Sequence, residues 1–120
     1  MNYLITHVEE HDVIRIDFFG TIHGLNEVES IMKNLRLTAD YFTCPRILCD
    51  VRDVRVVDRF SDMYQLGSKI AASGVVRNYS TAILFAEDET KHRIVEKVLC
   101  NRGYRLKLFR EEDDALKWIN

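Results

Sequence analysis

Proline is almost missing from this chain: Pro45 is the only one. Five glycines among 120 residues leave no stretch for a flexible or low-complexity linker, so one domain over residues 1–120 is expected. Long apolar runs are missing too. The most continuous, Ala82 to Ala86, is far too short to span a bilayer. Residues 1–12 carry Glu9, Glu10 and Asp12 and no apolar segment behind a basic start, so no secretory signal is expected there. Neither charge is in excess: 17 basic and 19 acidic residues give a formal charge of -2. That balance offers no electrostatic reason to expect nucleic acid. The three cysteines, Cys44, Cys49 and Cys100, show no CxxC spacing. They read as reduced thiols of a cytoplasmic protein.

What is present is periodicity. Tyr3 to Glu9 and Val13 to Phe19 are two β-type runs, the second alternating Val13, Arg15 and Asp17 with Ile14, Ile16 and Phe18. The short polar bridge Glu10-His11-Asp12 predicts an antiparallel hairpin, and Gly20 suits the turn that ends it. From Gly24 to Leu37 the period becomes helical, with Leu25, Val28, Ile31, Met32 and Leu35 on one face and Asn26 or Thr21 as cap. Thr38 to Cys44 is expected to be a connection, closed by Pro45. A strand is predicted over Arg46 to Val51. A helix then starts at an Asp58 or Ser61 cap and ends at Ser73-Gly74.

The remaining chain repeats the alternation. Tyr79 to Ala86 is nearly all apolar, as in a strand covered on both faces. Glu87, Asp88 and Glu89 read as first-turn acids of a helix ending at Arg102-Gly103, with Ile94, Val95, Val98 and Leu99 buried. Tyr104 to Phe109 carries charges at alternate positions, which suits an edge strand. A short helix with Ala115, Leu116, Trp118 and Ile119 closes the chain. The order β-β-α-β-α-β-α-β-α predicts an α/β domain. Its single mixed, mostly parallel sheet has about five strands, an antiparallel hairpin at the N-terminus and about four helices.

The hairpin, the Phe19-Gly20-Thr21-Ile22 turn, the strand ending in Asp50 and the closing run from Phe109 to Ile119 together resemble the SpoIIAA-like family. That family joins STAS domains, the anti-sigma-factor antagonists, with a bacterial STAS/SEC14-like branch. The resemblance spans nearly the whole chain and implies a domain without catalysis. The best-known members of the family are switched by phosphorylation of a serine at the start of the helix after the third strand, in a motif of roughly Asp-Ser-Ser-Gly. Here Asp58 matches the acid, Arg59 and Phe60 replace the serines, and Ser61 is the nearby hydroxyl. The resemblance thus implies a regulatory or protein-interaction module lacking the usual phosphoserine switch. Its SEC14-like side implies an alternative, a carrier or sensor of a lipid, another apolar ligand or a small anion.

The stretch from Arg46 to Met63 holds most of the candidate residues. A strand that ends in polar residues before a helix is where open α/β sheets bind ligands. Asp50 sits where a phosphoacceptor would, yet no acidic pair or later lysine accompanies it, and a turn carboxylate accepting backbone N–H groups is the simpler role. Arg52, Arg55 and Arg59 form surface pairs with Asp50, Asp53 and Asp58 or, with Ser61, an anion site at a helix start. Phe60, Met63, Tyr64 and Leu66 divide between core and an exposed patch for a partner, an apolar ligand or a second copy of the chain. His7, His11, His23 and His92 show no ligand spacing, so no metal, and no other cofactor, is expected. Cys44, beside Pro45, is the one motive for a thiol-dependent activity.

Overall fold

The hairpin forms because its two strands share a two-residue period. β1 (Tyr3–Val8) and β2 (Val13–Phe18) pair antiparallel, with Tyr3 opposite Phe18 and Val8 opposite Val13. The chain reverses through Asp12, which adopts a left-handed φ of 50°. The structure is a computed structural model that describes residues 2–86 and 90–120. The acids Glu87, Asp88 and Glu89 lie outside the described residues.

Among the described residues, four more strands and three helices follow before the last strand and helix. β3 (Gly20–Ile22) leads into α1 (Gly24–Phe42). β4 (Arg46–Asp50) and β5 (Val54–Val56) precede α2 (Phe60–Ser73), and β6 (Ser80–Leu84) precedes α3 (Thr90–Asn101). β7 (Arg105–Phe109) and α4 (Glu112–Ile119) close the chain. Among the described residues the main sheet has the order β1-β2-β4-β6-β7, and only its first pair is antiparallel. This is the expected mixed five-stranded sheet with four helices. β7 lies at the edge, with Arg105 and Lys107 exposed.

Strand alternation sorts the two faces. Ile14, Ile16, Ile47 and Ile83 form one core with Ile31 and Leu35 of α1, Met63 of α2 and Val95 of α3. Val13, Leu48, Ala82 and Leu84 point the other way and meet Ala115 and Ile119 of α4. Burying Ile119 stabilises that second layer by roughly 1.5–3 kcal/mol.

Two expectations need correction. α1 does not stop at Leu37 but runs to Phe42, because its buried stripe continues from Leu35 to Ala39. Thr43 ends it in the left-handed region, and its N–H donates to the Asp40 carbonyl at 3.2 Å. The second correction adds a ribbon. β3 and β5 pair in parallel, Gly20 opposite Val54 and Ile22 opposite Val56, outside the main sheet. Gly20 has a φ of 68°, which lets the chain leave β2 and enter this ribbon at once.

Candidate functional site

The start of α2 is built differently from its sequence expectation. Arg59 is the residue before the first turn, and Asp62 turns back to it. The Asp62 carboxylate accepts the Arg59 backbone N–H at 3.2 Å and its Nε–H at 3.1 Å. Those hydrogen bonds and the Arg59 charge hold the Asp62 carboxyl below the usual carboxylate range. Neither Asp58 nor Ser61 caps this helix; Ser61 is exposed within its first turn.

Asp58 instead reaches α1. It is 8% exposed, and its carboxylate accepts the Gly24 N–H at 2.7 Å and the Leu25 N–H at 3.1 Å. His23 stands in the capping position of α1 without a side-chain cap of its own, so neither Asn26 nor Thr21 serves. An acid from the loop before α2 thus satisfies two orphan donors of the helix beside it.

Asp50 faces the α4 side of the sheet. As a turn carboxylate would, its Oδ1 accepts the Arg52 N–H at 3.0 Å. Its Oδ2 also takes a 2.7 Å hydrogen bond from Nη2 of Arg15 and another from Nη2 of Arg52. Arg15 in turn donates to Asp17 and to Glu112 of α4, each at 2.9 Å. Burial alone would push the Asp50 carboxyl up; the hydrogen bonds from Arg52 and the charges of Arg52 and Arg15 outweigh it and hold the group low. Near it, loss of water pushes the Cys49 thiol up to about 12, with negative Asp50 and Asp17 adding to the shift. Cys49 is therefore an inert thiol at neutral pH.

Asp53 and Arg55 go elsewhere again. With Gly20, Arg52, Lys91 and others they line an open cleft of about 610 Å³ beyond the C-terminal ends of β4 and β6. Lys91 donates from Nζ to the Val56 carbonyl at 2.9 Å and lies 5.9 Å from the centre of the Phe60 ring. Beneath the ribbon, Ile22, Val56, Met63, Leu66 and Ile70 enclose part of an apolar cavity of about 140 Å³.

The large apolar residues of α2 differ in exposure, and Leu66 is half-buried. Met63 is 2% exposed and belongs to the core, whereas Phe60 and Tyr64 are 54% and 57% exposed. Four residues apart, these two rings project from the same side of α2. Of the candidates, then, Arg59, Phe60, Ser61 and Tyr64 share one exposed helix start. Asp53 and Arg55 line the cleft beside it, while Asp50 and Asp58 work inside the fold. Arg15, Asp17, Glu112 and Lys91 were not anticipated. Arg15 and Glu112 are 97 residues apart, and no local pattern joins them. Among the described residues no helix is long and apolar enough to cross a membrane.

No protein-family model matches the chain, and no curated protein matches its sequence. Solved structures do match it. An anti-sigma factor antagonist from Mycobacterium paratuberculosis superposes with a TM-score of 0.62 at 14% identity, over 98% of this chain and 92% of that one. The anti-sigma factor antagonist SpoIIAA in its unphosphorylated form gives 0.62 at 15% identity, over 98% and 96%. An uncharacterized DUF3478-family protein from Shewanella loihica PV-4 gives 0.60 at 16% identity, over 98% and 92%. At these identities the likeness is one of architecture, and it agrees with the strand order and hairpin described above: the chain has the SpoIIAA-like α/β fold.

Proposed function

We propose that this protein is a non-catalytic regulatory module that binds a protein partner through the start of α2. The observation that carries the proposal is the pair of exposed rings, Phe60 and Tyr64, on a helix that buries Met63, Gly67 and Ala71 in the core. Exposed aromatics beside an arginine, here Arg59, are the residue types that anchor protein interfaces. Two proteins of the same fold are anti-sigma factor antagonists, which supports a protein as the partner. Arg59 and Phe60 stand in place of the serines of the family motif, so the partner is engaged without the usual phosphoserine switch. Affinity capture from host extract tests this, comparing the natural chain with the Phe60→Ala/Tyr64→Ala double variant. The expected result is a specific protein held by the first and lost by the second. Equal recovery by both would remove the surface from consideration.

The 140 Å³ cavity favours a second reading, a small apolar ligand. Dry apolar cavities of about 150 Å³ hold one benzene-sized molecule, whereas drug-sized ligands need about 300–1,000 Å³. A small ring matches this volume. For a small anion the open cleft with Arg52, Arg55 and Lys91 is the better place. Native mass spectrometry of protein purified from its host decides the matter, since a clean apo mass removes a tightly held ligand of either kind.

A further inference from the structure

At the opposite end of the sheet three metal-ligating side chains of different elements converge. His7 comes from β1, Asp12 from the hairpin turn and Cys44 from the residues just before β4. One ligand atom of each lies within 4.8 Å of the others. Nε2 of His7 is 2.9 Å from Oδ1 of Asp12, and Sγ of Cys44 donates to the Asp12 carbonyl oxygen at 3.2 Å. We propose that His7, Asp12 and Cys44 form a binding site for one thiophilic divalent cation, Zn²⁺ being the best match, independent of the partner surface on α2.

The chemistry of the set selects the metal. One thiolate, one imidazole and one carboxylate are the donor types zinc takes, and three protein ligands leave a fourth position for water. In a tetrahedral zinc site with bonds of about 2.0–2.3 Å the donor atoms stand roughly 3.3–3.7 Å apart. The cluster therefore closes on the ion by a movement of at most roughly 1.1–1.5 Å at its longest edge, with Asp12 an exposed side chain. The thiol proton leaves to solvent as the Cys44–metal bond forms, and thiolate and carboxylate together neutralise the dication.

The surroundings hold the ligands as outer partners of a metal site do. Arg46 donates from Nε to the Asp12 carbonyl at 2.9 Å and pairs through Nη2 with the Asp12 carboxylate, on the oxygen that does not face His7. The Phe42 ring stacks on His7 with a centroid separation of 4.3 Å and fixes the imidazole plane. Cys44 is 2% exposed yet lines an open cleft with Thr43 and Tyr79, which gives the ion a route inward.

Titration of the intact protein with Co²⁺ tests the site, because a cobalt–thiolate bond adds a near-ultraviolet charge-transfer band. The expected result is that band at one equivalent, with the visible bands of four-coordinate cobalt, both erased by one equivalent of Zn²⁺. Cys44→Ser removes the charge-transfer band, whereas Cys49→Ser and Cys100→Ser keep it. His7→Ala and Asp12→Asn, at sites that are not part of the core, each weaken binding by more than about 100-fold, since even outer partners of a ligand are worth 10–100-fold. If Cys44→Ser fails to fold, these two variants decide alone. Absence of the band, its survival in a folded Cys44→Ser protein, or unchanged affinity in both His7→Ala and Asp12→Asn overturns the proposal.

Discussion

Asp58 and Gly24 stand 34 residues apart and meet through a hydrogen bond of 2.7 Å, the buried carboxylate receiving the first backbone N–H of α1. With the Leu25 N–H on the other oxygen, the loop that leads into α2 is fastened to the start of α1. Asp58→Ala leaves both donors without that partner. Loss of a cap costs about 0.5–2 kcal/mol, and a buried group left unmade costs about 1–3. A loss of about 1–3 kcal/mol in urea unfolding is expected, with an unchanged m-value. A loss within about 0.5 kcal/mol, the range of ordinary surface substitutions, would show that Asp58 fastens nothing.

The Asp50 network makes stability depend on pH in a defined direction. The folded-state pKa of Asp50 lies below the unfolded value of about 3.9. Its contribution is therefore complete above that value and disappears as pH falls through the folded pKa. Asp50→Asn removes charge-assisted hydrogen bonds from Arg15 and Arg52 and is expected to cost about 1.5–3 kcal/mol at pH 7. Below about pH 4 the gap between variant and natural protein narrows, because protonation removes the same charge from the latter. Denaturant midpoints of both proteins across that range check the sign. A gap that stays constant down to about pH 2 contradicts the lowered pKa.

How much of this was legible follows from distance along the chain. The stripe Val28, Ile31 and Leu35 recurs at helical spacing and announced α1, but Ala39 is too weakly apolar to extend the signal to Phe42. The three-residue strands of the ribbon are shorter than any period that distinguishes a strand. Met63 and Tyr64 look alike as apolar residues of one helix. Their different fates become visible only once Met63, Gly67 and Ala71 are known to face the core. The cap from Asp58 and the meeting of His7, Asp12 and Cys44 are tertiary facts, created when the sheet sets loops side by side.

The exposed rings on α2 separate function from stability. Phe60→Ala and Tyr64→Ala remove side chains that are more than half exposed, so each is expected to shift unfolding free energy by no more than about 0.5 kcal/mol. Partner binding is expected to fall sharply in the same variants, since truncating a central aromatic anchor costs about 2 kcal/mol or more. Ser61→Ala should leave both quantities unchanged. Were Ser61→Ala to abolish binding while Phe60→Ala did not, the hydroxyl rather than the rings would be the determinant.

Gly67 sets how closely α2 approaches α3. A Cβ placed there meets Cβ of Val98 at 3.0 Å and Cγ1 at 3.1 Å, tighter than an ordinary contact and against a branched side chain at its stem. Gly67→Ala gains helix propensity of about 1 kcal/mol, but overpacking in a core costs about 1–3. Packing outweighs propensity because Val98 is buried and its stem atoms move only with the backbone of α3. A net loss of about 1 kcal/mol is expected, the difference between those two effects. Val98→Ala cuts back the opposing side chain, and in that background Gly67→Ala should become neutral or stabilising. A double-mutant cycle measures the coupling directly. If Gly67→Ala costs the same with valine or alanine at position 98, the close approach of the two helices is not what calls for glycine.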